Sequence, residues 1–140
     1  MSKYLTIAVE YKTFECLKKA LADLKISAEI NENFRENTIH LVGYHGDTRQ
    51  QTASVVIRRK DVNRFSGGMS NDIGFAWNEE KGLFDALVSQ YDSTASKDLM
   101  RQLKQRYAFQ ETVAKAKDKG YNITEQKETN GEIRLVLVRR

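Results

Sequence analysis

The sequence contains no proline and only one cysteine, Cys16, in 140 residues. Without proline, no residue removes a donor from a sheet or kinks a helix. A single cysteine excludes an intrachain disulfide and any zinc site built from several cysteines. This cysteine usage fits a reducing compartment, because structural disulfides are typical of secreted proteins.

Long apolar runs are also absent. A helix that crosses a bilayer needs about 20 consecutive apolar residues, and every apolar run here is far shorter. The opening stretch, MSKYLTIAVEYK, alternates apolar and polar residues, which indicates a strand rather than a signal peptide. We therefore expect a soluble, cytoplasmic protein without a membrane partner.

The overall composition is that of a globular chain. Hydrophobic residues make up 40% and charged residues 30% of the sequence, which separates it from disordered proteins. A chain of this length usually forms one domain, and such a domain buries roughly two-thirds of its unfolded surface. We predict a single domain over residues 1–140 that folds without disulfides, metals or cofactors.

Apolar periodicity predicts most of the secondary structure. One helix is expected from Phe14 to about residue 25, with Thr13 as its N-cap, and another from Lys97 to a stop at Gly120. The predicted strands are 4–10, 28–32, 38–44, 54–59, 73–77 and 83–88. A polar turn joins 28–32 to 38–44, and 83–88 is equally compatible with a helical turn.

Three further segments complete the predicted fold. Residues 60–71 lack apolar periodicity and are predicted to form a flexible loop. Asn130-Gly131 stands between two alternating runs and indicates a tight hairpin, because both turn residues favour positive φ. Segments 14–44 and 97–139 each read as helix, strand, turn, strand, which indicates either a common supersecondary unit or an old duplication.

These elements predict an α+β fold. A single antiparallel or mixed β-sheet, with two main helices packed on one face, would bury the apolar sides of all of them.

The richest group of reactive side chains lies in GYHGDTR, residues 43–49. A histidine near an aspartate can act as a general base or contribute to a metal site. A metal site needs three or four ligands, and no HxH, HExxH or CxxC spacing occurs. A polar turn between two strands is the better interpretation, in which Asp47 and Thr48 bond local amides.

Other candidate residues have a structural interpretation that is more common than the functional one. His40 lies between two apolar strand residues, and Cys16 lies near the apolar edge of the first helix. Ser66-Gly67-Gly68 lacks the pattern of a phosphate-binding loop. Asp72 precedes an apolar strand, where a turn residue is commoner than a functional acid.

The net charge of +4 is carried by the C-terminal third. Residues 97–140 hold 11 Lys and Arg against 6 Asp and Glu. Such a region can attract nucleic acid, although a solvated helix face is the commoner case. The candidate cations are Lys97, Arg101, Lys104, Arg106, Lys115, Lys117 and Lys119. Arg106, Tyr107 and Phe109 could stack on a base, but packing of Tyr107 in the core is favoured.

With these segments in view, the chain resembles the hypothetical chloroplast reading frame thirty-five family of cyanobacteria and plastids, with relatives in other bacteria and phages. The similar stretches are LKKALADL at 17–24, GYxGxTR at 43–49, DIGFAWN at 72–78, QRYAF at 105–109 and GxIRLVLxR at 131–139. They occur in order along nearly the whole chain. The family is a domain of unknown function, so the resemblance implies no activity.

The chain departs from the pattern expected for this family. Lys3 replaces an expected histidine, segment 60–71 is longer, and 83–98 lacks tryptophan. The resemblance therefore indicates a divergent member, from a phage or a non-photosynthetic host.

Three functions are weighed. The first is a non-enzymatic adaptor or assembly factor, a monomer or small homo-oligomer that binds an unidentified protein. Its predicted contact surface is Tyr44, His45, Asp47, Thr48, Arg49 and Asp72, together with the basic C-terminal helix. The second is nucleic-acid binding through the seven cations named above. The third is an enzyme in which His45, Asp47 and Asp72 converge in one pocket.

Overall fold

The computed structural model describes residues 3–129 and 132–139, and for residues 124–129 it describes the backbone only. The strands are β1 (Tyr4–Tyr11), β2 (Glu29–Ile30), β3 (Ile39–Val42), β4 (Thr48–Ala53), β5 (Val55–Ile57), β6 (Ile73–Asn78), β7 (Leu83–Ser89), β8 (Tyr121–Thr129) and β9 (Glu132–Arg139). The helices are α1 (Phe14–Asp23), α2 (Arg59–Ser66) and α3 (Lys97–Asp118), and a 3-10 turn covers Gln90–Asp92.

Five strands form the main sheet, in the order β1-β7-β6-β5-β2. Every neighbouring pair is antiparallel. The pairs β3-β4 and β8-β9 form separate two-stranded sheets. The predicted α+β class is confirmed, although two strand pairs lie outside the main sheet.

The larger core lies between this sheet and the helices. Phe75 and Phe84 contribute fully buried rings from the sheet, and Leu17 and Leu103 face them from α1 and α3. Full burial of one such side chain stabilises the fold by about 1.5–3 kcal/mol. The α1 and α3 helices thus form the predicted layer on one face, to which α2 adds Val62.

A smaller core lies on the other face, under the β3-β4 hairpin. Leu41 and Ala53 of the hairpin pack with Tyr4 and Val56 of the main sheet. Gly74 makes this approach possible: a Cβ there would lie 2.9 Å from Leu41 Cδ1 and 3.0 Å from the Ala53 Cβ. The hairpin therefore lies directly on the backbone of β6.

The predicted polar turn between 28–32 and 38–44 is present, but it does not close a hairpin. The strands found within 28–32 and 38–44 do not pair with each other; β2 pairs with β5, and β3 with β4. Residues 14–44 therefore do not repeat the helix and hairpin of 97–139. The polar β4 strand, TRQQTA, lacks apolar alternation and was not predicted, because its pairing with β3 rather than its own pattern makes it a strand.

The predicted loop at 60–71 is also wrong, since most of it is α2. A helix of two turns shows too few apolar positions to reveal its period. It buries Val62, carries Asp61 in its first turn and ends at Gly67, which has φ of 90°, as is common after a helix.

Several other predicted elements agree with the described structure. The 73–77 and 83–88 segments are strands, and α3 ends before Gly120. Thr13 is the N-cap residue of α1, but its side chain makes no capping bond. The predicted turn at Asn130-Gly131 lies outside the described residues, between the paired strands β8 and β9. No helix within the described ranges has the length and apolarity to span a membrane.

We predict that Gly74→Ala destabilises the protein by about 1–3 kcal/mol, because the added methyl group overpacks the contact between β6 and the hairpin. Urea denaturation measures the change in unfolding free energy. In a Leu41→Ala background the same substitution should cost less, since part of the clash is gone. An equal cost in both backgrounds would contradict this account of Gly74.

Candidate functional site

Residues 43–47 form the tight turn of the β3-β4 hairpin. Gly43 N donates to the Asp47 carbonyl at 2.8 Å, and Gly46 N donates to the Gly43 carbonyl at 2.9 Å. Gly46 has φ of 80°, a conformation that glycine adopts without strain. Backbone bonds therefore close the turn, in place of the side-chain bonds expected from Asp47 and Thr48.

The turn borders a cavity of about 270 Å³, which we call the loop pocket. Its lining comes from the hairpin, from the segment after α2 and from the 3-10 turn. The lining residues are Tyr44, His45, Asp47, Arg49, Met69, Asn71 and Tyr91.

A charged pair forms part of the wall of the loop pocket. Arg49 Nη1 lies 3.7 Å from Asp47 Oδ2, and the Arg49 guanidinium lies 5.1 Å from the centroid of the Tyr4 ring. A Cβ on Gly43 would lie 2.6 Å from Asp47 Oδ1. The glycine thus leaves the space that the Asp47 carboxylate occupies.

Asn71 connects the hairpin to the 3-10 turn. Its Oδ1 accepts a bond from Tyr44 N at 2.7 Å. Its backbone N and side-chain Nδ2 both donate to Asp92 Oδ2, at 2.8 and 3.1 Å. Asn71 and Asp92 are almost fully buried, so these bonds hold opposite sides of the loop pocket at a set distance.

Asp72 supplies the neighbouring connection and is 1% exposed. Its Oδ2 accepts bonds from Val42 N at 2.8 Å and from Arg58 Nη1 at 2.7 Å. Its Oδ1 accepts a bond from Arg59 N, at the start of α2, at 2.8 Å. The carboxylate therefore joins the hairpin, β5 and α2 to the start of β6.

The Tyr4 hydroxyl completes this cluster by donating to the Asp72 carbonyl at 2.6 Å. Burial raises the pKa of Tyr4, and the nearby Asp72 carboxylate raises it further. Both effects favour the protonated hydroxyl, which is the form that donates to the Asp72 carbonyl.

The predicted surface residues fall into three groups. Tyr44, His45, Asp47 and Arg49 line the loop pocket. Thr48 is exposed at the start of β4 and does not line it. Asp72 lies in the interior with its carboxylate engaged by three donors, so it supports the surface from behind.

This arrangement bears on the predicted catalytic group. His45 and Asp47 share the loop pocket, but Asp72 does not enter it. The His45 ring packs against Tyr44 at 4.6 Å between centroids. No group of three or more His, Cys, Asp or Glu side chains in the described part of the chain is arranged to hold a metal ion.

Sequence reasoning missed Met69 and Tyr91, which stand at the rim. They are 57% and 65% exposed, an unusual setting for large apolar side chains. Met69 also has φ of 62°. Each stands alone among small and polar neighbours, and that isolation was the only available signal in the sequence.

The seven cations of the nucleic-acid alternative are not equivalent. Arg106 pairs with Asp23 of α1 at 2.9 Å and connects the two helices. Arg101 pairs with Asp98 at 2.6 Å, and Lys115 with Glu111 at 3.4 Å. Lys97, Lys104, Lys117 and Lys119 are exposed on α3 and just beyond it.

Three other candidate residues have structural contacts. Tyr107 is 5% exposed, and its hydroxyl accepts bonds from Lys12 N and Thr13 N at 2.9 and 3.0 Å. Cys16 is buried, and this burial raises the pKa of its thiol. His40 bonds through Nδ1 with the Arg49 carbonyl across the hairpin at 2.9 Å.

Comparison with known proteins gives a family without a function. The sequence model of a family described as "Protein of unknown function (DUF1257)" matches residues 20–136. No curated protein and no solved structure matches the chain. The match confirms the predicted relationship to a domain of unknown function.

We predict that Asp72→Asn lowers the unfolding free energy by about 2–3 kcal/mol, because it weakens charge-assisted bonds in a buried site. The asparagine side chain would also place its NH₂ group where one carboxylate oxygen now accepts a bond, so a donor would face a donor. Urea denaturation provides the measurement. The control is Asp98→Asn, whose exposed pair with Arg101 should contribute much less stability than the buried site. Similar losses in both variants would contradict a special role for Asp72.

Proposed function

We propose that this chain, which belongs to the DUF1257 family of proteins of unknown function, is a protein-binding module that engages its partner through the loop pocket. The observation that carries the proposal is the exposure of Met69 and Tyr91 at the rim of a pocket whose sides are joined by the hydrogen bonds of Asn71. In this view the chain is an adaptor or assembly factor.

The composition of the loop pocket supports this function. Protein interfaces are enriched in tyrosine, methionine and arginine, and residues that dominate binding energy are often Tyr or Arg. The pocket offers Tyr44 and Tyr91 as aromatic walls, Met69 at the rim and Arg49 within. Because Asn71 already holds the turn, the backbone of the turn should lose little conformational entropy on binding.

The size of the loop pocket is compatible with an inserted side chain from a protein partner. Cavities that enclose small ligands usually measure about 300–1,000 Å³, and this one holds about 270 Å³. A pocket of that size suits one side chain inserted from a partner surface. The exposed rim would then contact the residues around it.

The charged pair argues for recognition rather than catalysis. Asp47 faces Arg49 at 3.7 Å, so its carboxylate is directed at a cation rather than arranged to activate His45.

The finer family assignment, to the chloroplast reading frame thirty-five proteins, is proposed on GYxGxTR and DIGFAWN. The first motif forms the pocket turn, and the second holds Asp72 and Gly74 beneath it.

We predict that Tyr91→Ala weakens capture of the physiological partner at least tenfold and leaves the melting temperature unchanged. The side chain is 65% exposed, so its removal deletes an anchor without opening the core. The measurement is quantitative mass spectrometry of proteins retained from the native host by tagged wild type and variant. Leu137→Ala is the matched control, because it removes another exposed apolar side chain far along the sequence, on β9.

Equal retention by all three proteins would contradict the proposal. Retention abolished by nuclease, with a steep fall in affinity as salt increases, would instead support nucleic-acid binding through α3. Arg49→Ala is a poor probe, since Arg49 packs on Tyr4 and pairs with Asp47. Its loss would lower both stability and binding.

A further inference from the structure

A second concave surface lies between β1 and the first half of α3. This groove has a volume of about 620 Å³. The half-buried side chains of Ile7, Val9 and Met100 form its apolar floor, and Lys97, Arg101 and Lys104 of α3 border it. It shares no lining residue with the loop pocket.

One side of the groove is the open edge of the main sheet. Among the described strands, β1 pairs only with β7. Gln90 N donates to the Lys3 carbonyl at 2.7 Å, and the next pair in register is Tyr4 with Ser89. Antiparallel ladders alternate hydrogen-bonded and non-hydrogen-bonded pairs. The backbone N–H and C=O groups of Thr6 and Ala8 therefore point away from β7, toward the free edge.

A bulge sets the length of this edge. The register changes from Ala8 opposite Asp85 to Tyr11 opposite Phe84, and Glu10 has φ of 59°. Bulges interrupt regular pairing and limit unwanted contacts between sheet edges. The edge thus offers a short regular ladder, over residues 4–8, beside the apolar floor.

The charge of the border indicates what this edge accepts. Arg101 already pairs with Asp98, whereas Lys97 and Lys104 pair with no carboxylate in the parts of the chain that the structure describes. Glu10 is the single acidic residue that lines the groove. A strand added here would place alternate side chains over the apolar floor, within reach of these cations.

We propose that the β1 edge binds an extended acidic segment of a partner protein as an additional strand. Backbone bonds to Thr6 and Ala8 hold the segment, apolar side chains enter the groove, and Asp or Glu side chains pair with Lys97 and Lys104. Addition of a strand to an exposed edge is an established mode of peptide recognition. A second copy of this chain fits less well, because pairing of two β1 strands would bring two basic borders together.

The probe is a phage-displayed library of random 12-residue peptides, selected on the full chain at low salt. We expect enrichment of sequences that alternate β-branched residues with Asp or Glu. Synthetic copies should shift the Thr6, Ala8 and Met100 amide signals in ¹H–¹⁵N spectra. Their affinity, measured by fluorescence anisotropy, should fall as salt increases.

Variants then separate backbone pairing from charge. Thr6→Pro removes an N–H that faces the free edge, so it is expected to weaken binding at least tenfold. The fold should remain intact, because proline is tolerated at edge positions whose N–H is not in the ladder. Thr6→Ala retains the N–H and should stay within twofold of wild type. Lys97→Glu combined with Lys104→Glu should weaken binding at least tenfold, whereas Lys119→Glu, beyond the end of α3, should not.

The proposal is overturned if no peptide is enriched above an unrelated control protein, if enriched peptides are basic, or if shifts map away from β1. A dimer in light scattering that Thr6→Pro converts to a monomer would assign the edge to a second copy. Tyr91→Ala should not change peptide affinity. This result would keep the test independent of the proposed function at the loop pocket.

Discussion

The buried carboxylate of Asp72 is the interaction on which the arrangement of this protein depends. A charge removed from water is stable only when donors surround it. Here they come from Val42 on the hairpin and from Arg58 and Arg59 at the junction between β5 and α2. Satisfying one carboxylate therefore brings the hairpin to the junction between β5 and α2, beside the start of β6.

The candidate site follows from that constraint. Asn71, the preceding residue, makes equivalent bonds to Tyr44 and Asp92, so two consecutive buried polar residues connect all segments around the loop pocket. Gly74 then lets the hairpin lie on β6. Hydrogen bonds in the interior thus support the exposed side chains at the rim. Under the proposed function, this surface would be ordered before a partner arrives.

Elements with a long continuous period were predictable from the sequence. An apolar pattern is visible within each of these elements, namely β1, β6, β7, α1 and α3. The side chains that this pattern marks as apolar are those that pack in the larger core. The β4 strand, the α2 helix and the partners of β2 were missed because distant contacts create them. In the candidate site, the turn residues were found from their reactive side chains, whereas Met69 and Tyr91 carry no pattern at all.

The sequence by itself determined the α+β class, the main helices and strands, and the presence of a polar turn at residues 43–47. These properties depend on local preferences and on which face of each element is apolar. Only the tertiary structure decided that Asp72 is an interior support, that Met69 and Tyr91 join the turn to form a pocket, and that β1 is an edge. Each of these features depends on side chains or strands that are distant in sequence, and the periodicity of a single segment does not show which distant segments it contacts.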